Sequence, residues 1–361
     1  MRKRTSLLTA IIFSCSSLFM QAQINDLGKM LSGGINDGEK MFEAYLTPYA
    51  NAMGSNLSGG WYNTAKVHKL GGFDLTFTLN MAFVPDGDKN FELSELGLSE
   101  GASFTESTAP TAAGKNQKGP EISYNFPPVD EGFSYNTPKG TGVGFLPAPM
   151  IQLGIGLIKD TEIIGRYLPT YDIGNTGSSV GLWGIGLKHG IKQYIPAINK
   201  IPVFHLTFMG GYTQLNTSSE LSIGPKDFAG VTDATNNEIS FDNQEMALTA
   251  HSYTFNIITS ANLPVVCFYG GIGISVTKFN LDLNGNYPVP SLNTSSGNIE
   301  VGPNDYMTDP FNLEIKNTDG STTNPRLNVG MRLKFGPITL HGDYTMANYS
   351  VVTAGLGLTI R

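Results

Sequence analysis

Charged residues and cysteines are scarce in this chain of 361 residues. Charged side chains make up only 15% of it, whereas a soluble domain usually carries about 25%. The two cysteines, Cys15 and Cys267, exclude a cysteine-based metal site. No apolar run beyond the N-terminus reaches the roughly 20 residues that a membrane helix needs. The acidic balance, a net charge of −7, argues against nucleic acid as a partner.

The N-terminus has the parts of a secretory signal peptide over residues 1–22. Three cations at positions 2–4 precede an apolar stretch that ends near Met20, and the small residue Ala22 stands where cleavage is expected. Cleavage there removes three cations and no acid, so the net charge becomes −10, and it leaves one cysteine, which excludes an intrachain disulfide. Lipidation at Cys15 is the alternative, but the apolar stretch continues past it.

Glycine, by contrast, is abundant, with 43 residues, and apolar and polar side chains alternate in many segments. In the clearest segment, apolar residues occupy the odd positions from 73 to 83 and polar or small residues the even positions between them. Since successive strand side chains point to opposite faces, one face is apolar. The length fits a membrane strand of about 9–11 residues better than a soluble strand of about 5–6. The pattern predicts strands at 73–84, 149–158, 162–172, 180–191, 203–215, 247–261, 265–283, 326–335, 338–345 and 350–361.

The connections between these strands alternate between short and long, with long loops at 85–148, 216–246 and 284–325. An even strand count with short periplasmic turns and long outer loops is typical of outer-membrane barrels. We therefore predict an all-β fold, an antiparallel transmembrane barrel of about ten strands, or about 12–14 if the long loops hide more. Both termini would be periplasmic, although the chain ends on Arg361 rather than on an aromatic residue. A soluble β-sandwich, in which the apolar faces meet in a core, is the alternative.

Residues 23–70 precede the first predicted strand and show a different pattern. Apolar residues such as Leu27 and Met30 recur at helical spacing, and a stretch containing Trp61, Tyr62 and Asn63 follows. We predict a small helical segment that lies in the periplasm or folds back as a plug. The predicted organisation is a signal peptide over 1–22, this segment over 23–70, and a barrel over 71–361.

The alternation also predicts which ionisable side chains face the lumen. These candidates are Asp74, Arg166, Lys188, His205, Arg332, Lys334, His341 and Asp343. Interior polar residues can tune the selectivity of a pore, or they can pair with each other or with a plug. Glycines on the inner face leave room for a plug, a ligand or a water path.

Signals for catalysis or metal binding are weak. A His–Asp pair such as His341 and Asp343 could orient a serine nucleophile, but a Gly-x-Ser-x-Gly motif is absent and polar positions are ordinary in a lumen. Residues 86–90 have the oxygen spacing of a calcium loop, but Phe91 and Gly97 stand where that loop needs glycine and an acid. We expect no enzyme, no cofactor and no metal.

Several motifs carry a family resemblance: 45–52 (YLTPYANA), 59–66 (GGWYNTAK), 71–75 (GGFDL), 186–189 (GLKH) and 193–196 (QYIP). Together they resemble a family of uncharacterised outer-membrane proteins from Bacteroidota, known as a domain of unknown function. The resemblance covers most of the mature chain. It implies the location and the fold, and it implies no activity.

A looser resemblance is to the long-chain fatty-acid transporter family. Those barrels carry an N-terminal hatch with a Tyr-Asn-Pro-Ala stretch, and residues 62–65 read Tyr-Asn-Thr-Ala, without the proline. The resemblance implies a plug inside the lumen.

Three functions remain open from the sequence. The first is a passive, porin-like channel or transporter for small, hydrophobic molecules. The second is a structural or accessory subunit of an envelope complex, with other envelope proteins as partners besides the lipid bilayer. The third is an outer-membrane hydrolase, which would need a positioned nucleophile.

Overall fold

Ten long antiparallel strands dominate the computed structural model, which describes residues 29–125, 132–173, 177–228, 230–316 and 322–360. The predicted signal peptide and Arg361 lie outside the described residues. The strands are β1 (Phe73–Phe83), β2 (Phe145–Gly156), β3 (Thr161–Asp172), β4 (Ser178–Gly190), β5 (Phe204–Leu221), β6 (Gln244–Asn262), β7 (Val266–Asn284), β8 (Thr323–Phe335), β9 (Ile338–Met346) and β10 (Val351–Ile360).

Each strand pairs with its neighbours in the chain, and β10 pairs back with β1, so the sheet closes into a barrel. At the closure Phe73 lies opposite Ile360, and Leu79 lies opposite Ala354. A closed sheet has no edge with unpaired backbone groups, which is the condition for crossing hydrocarbon with strands. The prediction of an antiparallel barrel of ten strands is confirmed.

The burial pattern is the reverse of that in a soluble protein. On β1 the inward-facing Thr76 and Thr78 are 3% and 1% exposed, whereas the outward-facing Leu75 and Phe77 are 44% and 41% exposed. Outward apolar side chains are exposed on the other strands too, including Ile155, Trp183, Ile185, Phe208, Phe255, Ile272, Val329, Leu340 and Leu356. A surface of this kind suits lipid, because contiguous exposed apolar area is small on soluble monomers. The alternative of a soluble β-sandwich is wrong.

Strand length differs around the barrel. β9 and β10 have 9 and 10 residues, close to the membrane requirement of about 9–11. β5, β6 and β7 have 18, 19 and 19 residues, and their far ends carry outward polar side chains such as Asn216, Glu220 and Glu245. These three strands therefore extend beyond the apolar belt on the side of the long loops.

The N-terminal segment contains α1 (Ile35–Ser58), a helix of 24 residues, after a 3-10 turn at Lys29–Gly33. A short helix, α2 (Pro196–Asn199), lies between β4 and β5. The other 3-10 turns are Asp86–Lys89, Leu93–Glu95, Lys192–Tyr194 and Pro225–Asp227. Among the described residues, no helix combines the length and the apolar character that a membrane crossing needs. The helical N-terminal segment of the predicted fold is confirmed.

The long loops fold into small sheets above the barrel. Their strands are Asn90–Glu92, Ala102–Phe104, Thr108–Pro110, Glu121–Asn125, Gly132–Asn136, Thr232–Asp233, Asn286–Pro288, Ser291–Leu292, Ile299–Val301, Tyr306–Thr308 and Asn312–Ile315. We call the described residues of 84–144, 222–243 and 285–322 the loop cap. Apolar side chains of the cap, including Leu93, Ile122 and Phe311, form one buried cluster with Phe42 of α1.

α1 begins in the loop cap and ends inside the barrel. The Asp37 carboxylate accepts hydrogen bonds from the Ser99 backbone N–H (3.0 and 3.1 Å) and from the Tyr124 hydroxyl (3.1 Å). The first described residues therefore lie at the long-loop end, whereas Ile360 lies at the short-turn end beside Phe73. α1 runs down the lumen from the cap toward the start of β1. The prediction that both termini are periplasmic stays a prediction, since residues 1–28 and Arg361 lie outside the described residues.

Candidate functional site

The C-terminus of α1 is held inside the barrel by two arginines of the wall. Arg166 donates from Nη1 to the Leu57 carbonyl (2.9 Å) and from Nη2 to the Gly59 carbonyl (2.6 Å). Arg326 donates to the Ser58 carbonyl between them. The last carbonyls of a helix lack internal partners and carry the negative end of its dipole. The two guanidinium groups therefore satisfy this helix end in both hydrogen bonding and charge.

Trp61 fills a hollow that glycines leave in the wall. Its ring lies under the Arg166 guanidinium, 3.6 Å from the carbon of that group to the ring centroid. A Cβ on Gly186 or on Gly211 would lie 2.8 Å from the ring, a distance that real Cβ atoms do not show. The Gln152 side chain donates to the Trp61 carbonyl (3.2 Å). The inner-face glycines noted in the sequence thus make room for a plug residue.

Tyr62 and Asn63 also contact the wall. The Tyr62 ring packs edge-on against Tyr269, with 6.1 Å between centroids. A Cβ on Gly271 would lie only 2.5 Å from the Tyr62 hydroxyl, so the glycine leaves room for it. Asn63 accepts a hydrogen bond from Arg332 Nη1 (2.9 Å). The three aromatic and amide residues proposed for a plug therefore all lie in the lumen with wall contacts.

Below them, backbone that lies outside helices and sheets is bonded to wall side chains. The Ala65 N–H donates to Ser260 Oγ (3.0 Å), and Thr207 Oγ1 donates to the Ala65 carbonyl (2.5 Å). Buried backbone groups outside helices and sheets need such partners. We call residues 59–68 the plug strand; they lie outside the helices and sheets, with bends at positions 59, 61, 63 and 65, and wall side chains bond their backbone.

Two buried ion-pair groups close the lower lumen. Arg332 Nη2 lies 3.0 Å from Asp74 Oδ2. Glu162 is 3.4 Å from Lys188 Nζ, and it accepts bonds from both the ring (2.9 Å) and the backbone N–H (3.1 Å) of His68. Buried charges are tolerated when paired and hydrogen-bonded in this way.

The His341–Asp343 pair does not form a catalytic arrangement. Asp343 accepts from the Tyr269 hydroxyl (2.9 Å) and from Asn328 (2.7 Å), rather than from His341. His341 is buried against Gly355, and its Nδ1 has no hydrogen-bond partner within the described part of the chain. A triad needs the carboxylate on the imidazole, and that contact is missing.

The remaining candidates lie apart from this network. His205 is half-buried near the short-turn end of β5, and Lys334 is exposed at the end of β8. In residues 86–90, whose spacing resembles a calcium loop, the Lys89 ammonium is 2.5 Å from Asp86 Oδ1. The Asp86 carboxylate is therefore paired with a lysine of the same chain. Within the described ranges, no group of three or more His, Cys, Asp or Glu side chains is arranged to hold a metal.

Sequence reasoning missed Arg326, Glu162 and His68. Alternation could have found the first two, because Arg326 shares a face with Asn328, and Glu162 shares a face with Arg166. His68 lies in the plug strand, where no periodicity indicates its direction.

A closed barrel with an apolar outer belt and a polar, filled interior defines an outer-membrane β-barrel. Within that class, the chain belongs to the "Family of unknown function (DUF6588)", whose model matches residues 1–360. A comparison with curated proteins finds no match.

Several solved structures of outer-membrane barrels resemble the chain distantly. The outer membrane protease OmpT from Escherichia coli is 9% identical, with a TM-score of 0.33, over 80% of this chain and 97% of its own. The transport unit of the autotransporter AIDA-I from Escherichia coli is 8% identical, with a TM-score of 0.32, over 87% and 98%. The translocator domain of the autotransporter NalP from Neisseria meningitidis is 10% identical, with a TM-score of 0.29, over 87% and 93%. At these scores the resemblance carries no functional argument.

Proposed function

We propose that this protein is a closed outer-membrane barrel that does not conduct in its resting state, and that it works as a structural or accessory subunit that presents the loop cap. The observation that carries the proposal is the bonding of α1 and the plug strand to the wall. Arg166 and Arg326 hold the helix end, and Trp61 fills the glycine hollow. A passive channel needs an open lumen, so the filled one supports it less.

The proposal includes an orientation and a route of export. The loop cap faces the outside of the cell and the short turns face the periplasm, in keeping with the long outer loops of this class. A signal peptide over residues 1–22, cleaved after Ala22, brings the chain to the periplasm. With this orientation the start of α1 is on the outer side.

Liposome swelling tests the closed state. Wild-type protein should give the same sugar permeability as protein-free liposomes. Arg166→Gln together with Arg326→Gln removes the donors to three buried carbonyls, so the plug should loosen and the permeability should rise at least several-fold. The matched control is Lys118→Gln with Lys226→Gln, which removes two exposed cations of the cap. A wild-type protein as permeable as an open porin would contradict the proposal.

The accessory role has its own test. Pull-down of the full-length protein from detergent-solubilised membranes should recover the same envelope protein repeatedly. A protein that always purifies alone would count against a subunit role, while leaving the closed lumen in place.

A second candidate function is gated uptake of small hydrophobic molecules. Beside an apolar cluster that Trp61, Tyr62 and Ala65 form with the wall, the plug strand makes many polar contacts with it. These polar contacts favour gating, because polar groups become hydrated when they are separated, so breaking such a contact costs little net free energy. Trp61 Nε1, Tyr62 Oη and Arg332 Nε are buried without a hydrogen-bond partner in the described ranges, so each would gain one from water.

A reversible lock distinguishes the two functions. The hydroxyls of Ser58 and Ser252 are 3.2 Å apart, which places a disulfide between plug and wall within reach of Ser58→Cys and Ser252→Cys in a Cys267→Ser background. Gated uptake predicts that oxidation abolishes uptake of a labelled hydrophobic substrate and that reduction restores it. Equal uptake in both states, or no uptake at all, would contradict gating.

A further inference from the structure

The two ends of the barrel differ sharply in charge. The short-turn end carries six lysines, of which all except Lys192 are exposed: Lys66, Lys69, Lys159, Lys192, Lys200 and Lys334. Among the described residues it carries a single exposed carboxylate, that of Asp160. The other exposed carboxylates of the described ranges lie in the loop cap or at the far ends of the strands. A chain with a net charge of −7 therefore has one strongly basic surface.

Exposed apolar side chains lie directly beside these lysines in the chain. Ile158 precedes Lys159 and is 64% exposed, Ile201 follows Lys200 and is 44% exposed, and Phe335 follows Lys334 and is 54% exposed. These apolar residues continue the outer belt to its lower edge. Long cationic side chains at such an edge keep their stems on apolar surface and their ammonium groups in the headgroup layer.

The lysines are spread around the barrel rather than gathered at one point. Lys159 lies on the turn between β2 and β3, Lys200 on the connection between β4 and β5, and Lys334 beside the turn between β8 and β9. A single small ligand cannot contact all three lysines, because they lie at three separate connections around the rim of the barrel. A layer of anionic groups in the plane of the bilayer surface can meet all three at once.

We propose that the short-turn end binds anionic phospholipid headgroups of the adjacent leaflet, with Lys159, Lys200 and Lys334 contacting their phosphates. The charge complementarity is local, because the rest of the molecule is acidic. Zwitterionic lipids have no net charge and so gain little from this ring. The binding orients and anchors the barrel whether or not the lumen ever opens, so it stands apart from the proposed closed state.

Native mass spectrometry of the detergent-purified full-length protein tests this binding. Phosphatidylglycerol and phosphatidylcholine with matched acyl chains serve as probes. Wild-type protein should retain phosphatidylglycerol preferentially. Each lysine near an anionic surface strengthens binding about fivefold. Lys159→Gln, Lys200→Gln and Lys334→Gln together should therefore lower the preference on the order of a hundredfold.

Two companion variants keep the test decisive. Lys118→Gln, Lys226→Gln and Lys316→Gln remove three exposed cations from the long-loop side and should leave the preference unchanged. Arginine at positions 159, 200 and 334 should restore it. Equal retention of both lipids by the wild type, or an equal loss in the long-loop variant, would overturn the proposal. Displacement of phosphatidylglycerol by an equimolar amount of soluble glycerol phosphate would overturn it too, since the site would then bind the free anion.

Discussion

The upper and lower parts of the N-terminal segment are held by two different kinds of surface. In the loop cap and upper barrel, Met41, Phe42 and Tyr45 of α1 are buried in an apolar cluster. In the lower barrel, Trp61 and Tyr62 share a smaller apolar cluster with the wall, but the backbone of the plug strand lies against polar and charged side chains such as Gln152 and Glu162. The same chain segment thus passes from a core like that of a soluble protein into a lumen in which apolar and polar contacts are mixed.

Backbone hydrogen bonding explains this difference. A helix satisfies most of its own N–H and C=O groups, so its surroundings can be apolar. An irregular segment in a lumen has few internal partners, so its buried backbone groups must be satisfied by the wall. The polar and charged side chains of this lumen contact the backbone of the plug strand at Gly59, Trp61 and Ala65. The comparison teaches that polar wall side chains are placed where the enclosed backbone lacks hydrogen-bond partners of its own.

The largest effect on stability should come from disrupting the apolar cluster between α1 and the loop cap. Phe42 is fully buried and packs edge-on against Phe311, with 5.4 Å between ring centroids. Phe42→Ala should lower the free energy of unfolding by about 3–5 kcal/mol, because the lost contacts leave a cavity. Urea unfolding followed by near-ultraviolet circular dichroism would measure it. Liposome permeability should stay at the wild-type level, since the plug strand keeps its wall contacts; a leaky variant would show that the two parts are not separable.

A smaller effect should come from crowding the lower part. A Cβ on Gly211 would lie 2.8 Å from the Trp61 ring, so Gly211→Val should displace that ring at a cost of about 1–3 kcal/mol and raise permeability. Gly210→Val is the matched control on the same strand. It faces outward, and its Cβ would lie 3.5 Å from the Phe255 ring, an ordinary contact. Similar permeability of the two variants would show that Trp61 does not seal the lumen.

Much of this fold follows from the sequence, and the plug contacts do not. Alternation with a period of two located all ten strands, since each faces lipid on one side along its whole length in the membrane. The observed β2 begins at Phe145, before the predicted limit, because its inward Leu146, Ala148 and Met150 are apolar as well and the alternation is lost. The observed β5 ends at Leu221, beyond the predicted limit, because its outward face is polar there. Pairs such as His68 with Glu162 join an aperiodic segment to a distant strand, and no local pattern specifies such a contact.

The smallest effect on stability at neutral pH should come from replacing Tyr124 and Tyr135, two tyrosines of the loop cap. At high pH the same change should alter the stability of the cap selectively. Burial, with the neighbouring Tyr135 and Asp37, raises the pKa of the Tyr124 hydroxyl far above its ordinary value of 10.0, and burial likewise raises the pKa of Tyr135. A raised folded-state pKa means that folding favours the protonated form. The stabilisation is therefore complete below about pH 10 and decreases as the pH rises above it.

The cap should accordingly lose stability above about pH 10 while the barrel strands stay folded, because the plug strand and wall are held by other groups. Tyrosinate absorbance and near-ultraviolet circular dichroism, followed together along an alkaline titration, would detect the loss. Tyr124→Phe with Tyr135→Phe should flatten this pH dependence and leave the behaviour at pH 7 nearly unchanged apart from the lost hydrogen bond to Asp37. If the double variant loses cap stability over the same pH range as the wild type, other groups set the pH dependence of the cap. The two tyrosines would then contribute nothing to its alkaline unfolding.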